Sequence, residues 1–176
     1  MPRSDTPLLD ADGVDQALTS MAVRLRAAML PGVTLVMVGV RTRGVPLARR
    51  LATILTRQTG ETIPVGAVDI TLYRDDLDRA ARWPVLHGTE IPFDIDGADV
   101  VLVDDVLFTG RTIRAAINSL CDLGRPARIR LATLVDRGHR ELPIQPDVVG
   151  LLVATTRDEH VRVRLHEIDG VDEVLK

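Results

Sequence analysis

The chain of 176 residues carries 22 basic and 25 acidic side chains, a net charge of −3, with 45% hydrophobic and 27% charged residues. These proportions belong to a folded chain with one sizeable core, and they exclude a disordered, fibrous or generally polyanion-binding protein. Aromatics at 2% are too few for a stacking platform along single-stranded nucleic acid, and the one cysteine, Cys121, excludes a disulfide framework or cysteine-rich zinc site. Residues 1–9 lack a basic-then-apolar signal pattern and no apolar run is long enough to span a bilayer, so a cytoplasmic location is expected.

Val14, Ala17, Leu18, Met21, Ala22 and Leu25 recur at helical spacing behind Asp10 or Asp12, either of which can cap the first turn. This helix should end near Pro31-Gly32. Residues 34–40 are a valine-rich apolar run, predicted to be a strand buried on both faces. The polar turn Arg41-Thr42-Arg43-Gly44 leads into a second helix carrying Leu47, Leu51, Ile54 and Leu55, with Gly60 placed to close it. Strand-like residues 63–72 follow, then a charged stretch, 74–82, with little to bury. Residues 99–103 are a second buried strand. Residues 113–123 are a third helix with Ile113, Ala116, Ile117 and Leu120 on one face and Gly124 at its end. Residues 128–135 read as another strand, and 161–168 as a late one whose alternation leaves a wet face. Alternating strands and helices predict one α/β domain over residues 1–176, with a mostly parallel central sheet flanked by helices. Right-handed crossovers place the loops after the strands along one edge, where the chemistry should sit.

The segment richest in chemistry is Val100-Val101-Leu102-Val103-Asp104-Asp105-Val106-Leu107-Phe108-Thr109-Gly110-Arg111-Thr112. An apolar strand carries two adjacent carboxylates at its carboxyl end, and a Thr-Gly-Arg-Thr turn then opens a helix. The unpaired N–H groups of a helix start, with the helix dipole behind them, suit a terminal phosphate monoester. Gly110 allows close backbone approach, and Thr109 and Thr112 add hydroxyl donors. Asp104 and Asp105 are acceptors, repelled by phosphate but suited to sugar hydroxyls or a divalent cation. A ribose 5-phosphate satisfies both halves. The simpler alternative, acids and a threonine that only cap a turn and a helix, explains the combination less well. Neither a P-loop nor a Gly-x-Gly-x-x-Gly fingerprint is present.

This segment resembles the 5-phosphoribosyl diphosphate (PRPP) loop of type I phosphoribosyltransferases. More closely, the chain resembles the bacterial PyrR family, pyrimidine operon attenuation regulators with uracil phosphoribosyltransferase activity. Further matching stretches are Val38-Gly39-Val40-Arg41-Thr42-Arg43-Gly44, Asp69-Ile70-Thr71-Leu72-Tyr73-Arg74-Asp75-Asp76-Leu77, Ile91-Pro92-Phe93-Asp94 and Leu134-Val135-Asp136-Arg137-Gly138-His139-Arg140-Glu141-Leu142-Pro143-Ile144. The resemblance implies a type I phosphoribosyltransferase-like fold with a small hood built from the N-terminus and segments in the C-terminal half. It makes Thr42 and Arg43 the pyrophosphate loop, Tyr73 and Arg74 part of a flexible loop closing over PRPP, and Asp136, Arg137 and His139 part of a base-binding hood. It also implies Mg²⁺, held by Asp104 and Asp105 directly or through water, with PRPP, uracil and UMP as ligands and a homo-oligomer as the assembly.

The expected reaction joins the phosphoribosyl group of PRPP to N1 of uracil, giving UMP and diphosphate. Positive charge develops on the ribose and negative charge on the leaving group, so Asp104, Asp105 and Arg43 are the expected catalytic residues. A purine or orotate transferase would share the PRPP loop but leave the other matching stretches unexplained. The competing class is an RNA-binding, UMP-sensing regulator of the pyr leader mRNA. Thr19, Arg137 and Arg140 match the family's RNA-directed positions. The chain departs at Ser20 and Val23, where a basic residue and a histidine are usual, at Gln145 in place of arginine, and at Leu151 in place of lysine. Fewer phosphate-directed charges should weaken RNA binding, although Arg24 and Arg26 could compensate. Phe108 stands where tyrosine is usual.

Overall fold

The structure, a computed structural model, describes residues 6–70 and 88–176. It begins with a short strand, β1 (Pro7–Leu9), and the helix α1 (Ala11–Ala27). Asp10 caps α1, its carboxylate accepting the Gly13 N–H at 2.9 Å. The helix stops short of Pro31-Gly32 because Ala28 and Met29 bond back to the Leu25 and Arg26 carbonyls, tightening the last turn. The buried strand β2 (Leu35–Val40) feeds α2 (Gly44–Thr59), which closes at Gly60 with φ of 76°.

Next come β3 (Val65–Val68), β4 (Asp99–Leu107), α3 (Arg111–Leu123), β5 (Arg128–Asp136) and β6 (Val148–Leu152). The five strands form one parallel sheet in the order β3-β2-β4-β5-β6. Side chains of β4 alternate between two cores: Val101 and Val103 pack with α1 and α2, Val100 and Leu102 with α3. This two-sided burial explains why the strands read as continuous apolar runs. The order reverses between β2 and β4, and ligand crevices in open α/β sheets lie outside the strands' carboxyl ends at such a point.

The chain ends with β7 (Arg162–Arg164), a single turn of helix α4 (His166–Asp169) and β8 (Glu173–Leu175). A small antiparallel sheet, β1-β8-β7, joins both ends of the described chain, and Val163, Leu165 and Val174 anchor it in the α1/α2 core. Three expectations need correction. The late strand is only three residues long, because the Asp169 carboxylate and the Leu165 carbonyl capture N–H groups and turn residues 165–169 into α4. The third strand spans only Val65–Val68 of the expected 63–72, and residues 71–72 lie outside the described residues. Conversely, β4 runs four residues beyond Val103, so the acid pair lies within the paired strand. No described helix is long and apolar enough to cross a membrane.

Candidate active site

Two turns after neighbouring parallel strands build the site. At the first, Gly44 opens α2 against the backbone of β4: a Cβ there would lie 2.3 Å from the Val103 carbonyl oxygen and 3.3 Å from the Asp104 Cα. A hydrogen at this position lets the Arg41–Gly44 turn sit directly beside the acid pair. The Arg41–Thr42 peptide in this turn is cis. A cleft of about 260 Å³ opens on it, lined by Arg41, Thr42, Pro46, Arg49 and Glu167 among others.

Asp104 and Asp105, though adjacent, have different surroundings. Asp104 is 6% exposed, and its Oδ1 accepts the Asp105 N–H at 3.0 Å. Burial, together with the neighbouring Asp105 charge, pushes the Asp104 carboxyl well above the ordinary carboxylate range. Asp105 is half-buried. The pair thus offers one desolvated carboxyl beside one more accessible one.

The second turn follows β4. Gly110 precedes α3 with φ of 91°, a conformation that disfavours any side chain, and as the capping residue it offers the helix start no side-chain acceptor. Thr109 Oγ1 lies 3.4 Å from the Arg111 N–H, while Arg111 and Thr112 are exposed. The loop after β5 braces this turn from behind: the Glu141 and Leu142 N–H groups donate to the Thr109 carbonyl, and Arg111 Nε bonds Glu141 Oε2 at 2.9 Å. The phosphate-type turn and the expected hood are therefore one hydrogen-bonded unit.

Within that loop the expected polar residues bond mainly to one another and to backbone. Arg137, 5% exposed, gives Nη2 to the Thr156 and Arg157 carbonyls, and its guanidinium lies 4.0 Å from the centre of the Phe108 ring. Burial holds its pKa below the ordinary arginine value. His139, at φ of 62°, sets Nε2 2.6 Å from the Thr155 carbonyl and packs edge-on to Phe108 at 5.9 Å. Arg140 bonds the Ile144 and Phe108 carbonyls and the Asp136 carboxylate, which also accepts the Gly138 N–H.

Arg43 points toward the C-terminal segment, giving Nη2 to Asp169 Oδ1 at 2.8 Å and Nε to Oδ2 at 3.2 Å. This bidentate bond raises its pKa and holds that of Asp169 down. Thr19, exposed on α1, bonds the Asp15 carbonyl, while Arg24 bonds the Asp147 and Val149 carbonyls beside β6. Tyr73 and Arg74 lie outside the described residues. Asp169 and Glu141 escaped the sequence reading, because nothing in an acid-rich tail or a polar loop marks which carboxylate meets a distant arginine.

The phosphoribosyl transferase domain family model matches residues 6–167. Among curated proteins, the chain is 55% identical over 163 residues to the "Bifunctional protein PyrR" of Roseiflexus sp. (strain RS-1), covering 93% of this chain and 89% of that one. It is 53% identical over 175 residues to the protein of the same name from Pelotomaculum thermopropionicum, covering 99% and 97%. Among solved structures, a hypoxanthine phosphoribosyltransferase from Staphylococcus aureus aligns with a TM-score of 0.69 at 19% identity, over 96% of this chain and 90% of that one. At that identity the likeness concerns the fold alone.

Proposed function

The chain belongs to the PyrR family of phosphoribosyltransferases, and from that premise we propose that it transfers the phosphoribosyl group of PRPP to N1 of uracil, releasing diphosphate. The observation that supports this most directly is the meeting, at the sheet's reversal point, of the Gly44-closed turn, the Asp104–Asp105 pair and the start of α3 after Gly110. In this reading the Thr109–Thr112 turn takes the 5-phosphate, the acid pair takes the ribose hydroxyls, and Arg41–Gly44 takes the diphosphate.

The C1–O bond breaks with its electron pair leaving on diphosphate and positive charge growing on the ribose, and uracil N1 closes the new bond from the other side as its proton passes to the departing diphosphate or to water. Asp105 supports the ribose cation as the accessible carboxylate. Asp104, beside it, holds a ribose hydroxyl. No protein nucleophile is needed, so catalysis is orientation and electrostatics.

Among the described residues no cluster of three His, Cys, Asp or Glu side chains is arranged to hold a metal. This donor set fits Mg²⁺, which binds through one or two carboxylates together with substrate phosphates and keeps several waters. Asp105 and Asp104 would hold it, directly or through water, and it would offset charge on the departing diphosphate. Transfer of isotope from PRPP to a panel of bases, with and without Mg²⁺, tests the reading. Label should appear in UMP; label in a purine nucleotide or orotidylate instead would overturn it.

The second activity in this reading is regulation, through UMP-responsive binding of pyrimidine operon leader RNA by a homo-oligomer. It draws on the word "bifunctional" in the relatives' name. The side chains favour transfer as the dominant function: Arg137 and Arg140 bond internally, and Val23, where the family pattern has a histidine, is an exposed apolar residue. Leader binding should therefore be weak with a shallow salt dependence, and a filter-binding titration with and without UMP measures it. Nanomolar, steeply salt-dependent, UMP-enhanced binding would overturn that ranking.

A further inference from the structure

The turn before α2 is held from outside by the C-terminal segment. Arg43, the residue just before the helix, offers one edge of its guanidinium, Nε and Nη2, to the Asp169 carboxylate at 3.2 and 2.8 Å. That carboxylate is itself fixed, since Oδ2 also accepts the Leu165 N–H at 2.9 Å. Seven residues along α2, Arg50 bonds Glu167 and Asp172 at 2.6–3.0 Å, and Asp172 Oδ1 accepts the His166 N–H at 2.7 Å. Residues 165–172 are thus clamped to α2 by Arg50, and Asp169 is their link to Arg43.

A guanidinium carries five N–H donors in a rigid fork. The bidentate bond to Asp169 uses Nε–H and one Nη2–H. It leaves the outer edge, both Nη1 hydrogens and the second Nη2 hydrogen, for another oxyanion. Gly44, the next residue in the chain, lies against Val103 and Asp104, so the backbone that carries Arg43 adjoins the acid pair. A long, half-exposed side chain otherwise samples many rotamers, and each must be given up when an anion binds.

We propose that Asp169 is a positioning residue for diphosphate: it grips the inner edge of Arg43 so that the outer edge is already presented to the diphosphate oxygens. The inference rests on the transferase reading, which gives the Arg41–Gly44 turn its ligand. It extends that reading by making the affinity of the turn depend on a residue about 126 positions away in the chain. Asp169 also offsets part of the Arg43 charge. At a half-exposed site water screens that loss, and the ordering of the fork dominates.

The test compares the full-length protein with Asp169→Asn, Asp169→Glu and Asp172→Asn. Binding of diphosphate with Mg²⁺ is followed by calorimetry, alongside the KM for PRPP, kcat and thermal stability. Asp169→Asn should weaken diphosphate binding and raise the KM for PRPP by about five- to tenfold, with kcat changed by less than about twofold. Asp169→Glu, which keeps the charge, should fall between it and the parent and serves in its place if the asparagine variant does not fold. Asp172→Asn loosens the same segment through Arg50, so it should lower thermal stability while weakening diphosphate binding less than Asp169→Asn does. Unchanged or tighter binding in Asp169→Asn, or an equal loss in Asp172→Asn, would overturn the proposal. A parent that binds diphosphate but forms no UMP would sink the transferase reading alone, with the affinity ratio still deciding the role of Asp169. A parent that binds no diphosphate would overturn both.

Discussion

Strand β4 buries two aspartates, one at its start and one past its middle, and their surroundings treat them in opposite ways. Asp99, at the amino end, is 1% exposed and is gripped by Arg128 and Arg130, whose Nε and Nη2 atoms reach both carboxylate oxygens at 2.7–3.1 Å. Burial there pushes its pKa up, but the two guanidiniums outweigh it and hold the carboxyl below the ordinary value. Asp104, five residues on, meets the same desolvation beside another carboxylate and is driven the other way. One strand thus carries a neutralised charge at its start and an adjacent acid pair past its middle. In the proposed reading the first serves only the fold, and the second is left for ribose hydroxyls or Mg²⁺ to meet.

Substitutions should break this symmetry in order of size. The largest effect is expected at the start of the strand. Asp99→Asn leaves two buried or half-buried guanidiniums without their carboxylate, costing about 3–5 kcal/mol in denaturant unfolding; a loss below about 1 kcal/mol would refute the assigned role. In the acid pair, Asp105→Asn should lower PRPP-dependent turnover by roughly 10²-fold with little change in stability, since it disturbs alignment rather than packing. Gly44→Ala lies between these two modes, because its methyl would overlap the Val103 carbonyl. It should cost about 1–3 kcal/mol and reduce activity as well by pushing the turn away from Asp104.

The smallest expected effect is on the pH dependence of stability, and it has opposite signs at the two aspartates. Asp99, with its folded pKa below the unfolded value, contributes stability that is present above the unfolded pKa and lost as pH falls through the folded one. Asp104, with its folded pKa raised, costs stability as pH climbs from the unfolded value through the folded one, because the native state holds the extra proton in that window. Asp104→Asn should therefore flatten the decline on the neutral side, and Asp99→Asn the decline on the acid side. Unfolding midpoints across pH for the two variants check both signs.

Much of this architecture was legible from residue patterns. Valine-rich runs marked β2 and β4, helical spacing marked α1 to α3, and Asp10, Gly60 and Gly124 marked helix ends. The Asp-Asp and Thr-Gly-Arg-Thr neighbours needed only one strand and one turn to come together, so sequence order alone grouped them. Contacts across long separations were not legible. Arg128 and Arg130 look like surface charges until Asp99 is placed beside them, and nothing in the turn that carries Arg43 shows that its guanidinium meets Asp169. The strands β1 and β8 are three residues each, too short for a periodic signal, and they exist because the two ends of the described chain pair with each other. The pattern places Arg137 in the hood and Arg137 and Arg140 at RNA-directed positions, and it does not show that backbone carbonyls at Thr156, Arg157, Phe108 and Ile144 hold both guanidiniums.

The most direct measurement is UMP formation from uracil and PRPP with Mg²⁺, comparing the parent chain with the double variant Asp104→Asn/Asp105→Asn. Activity in the parent and its abolition in a folded double variant is the predicted result. Full activity in that variant would contradict the placement of the chemistry in the carboxyl half of β4.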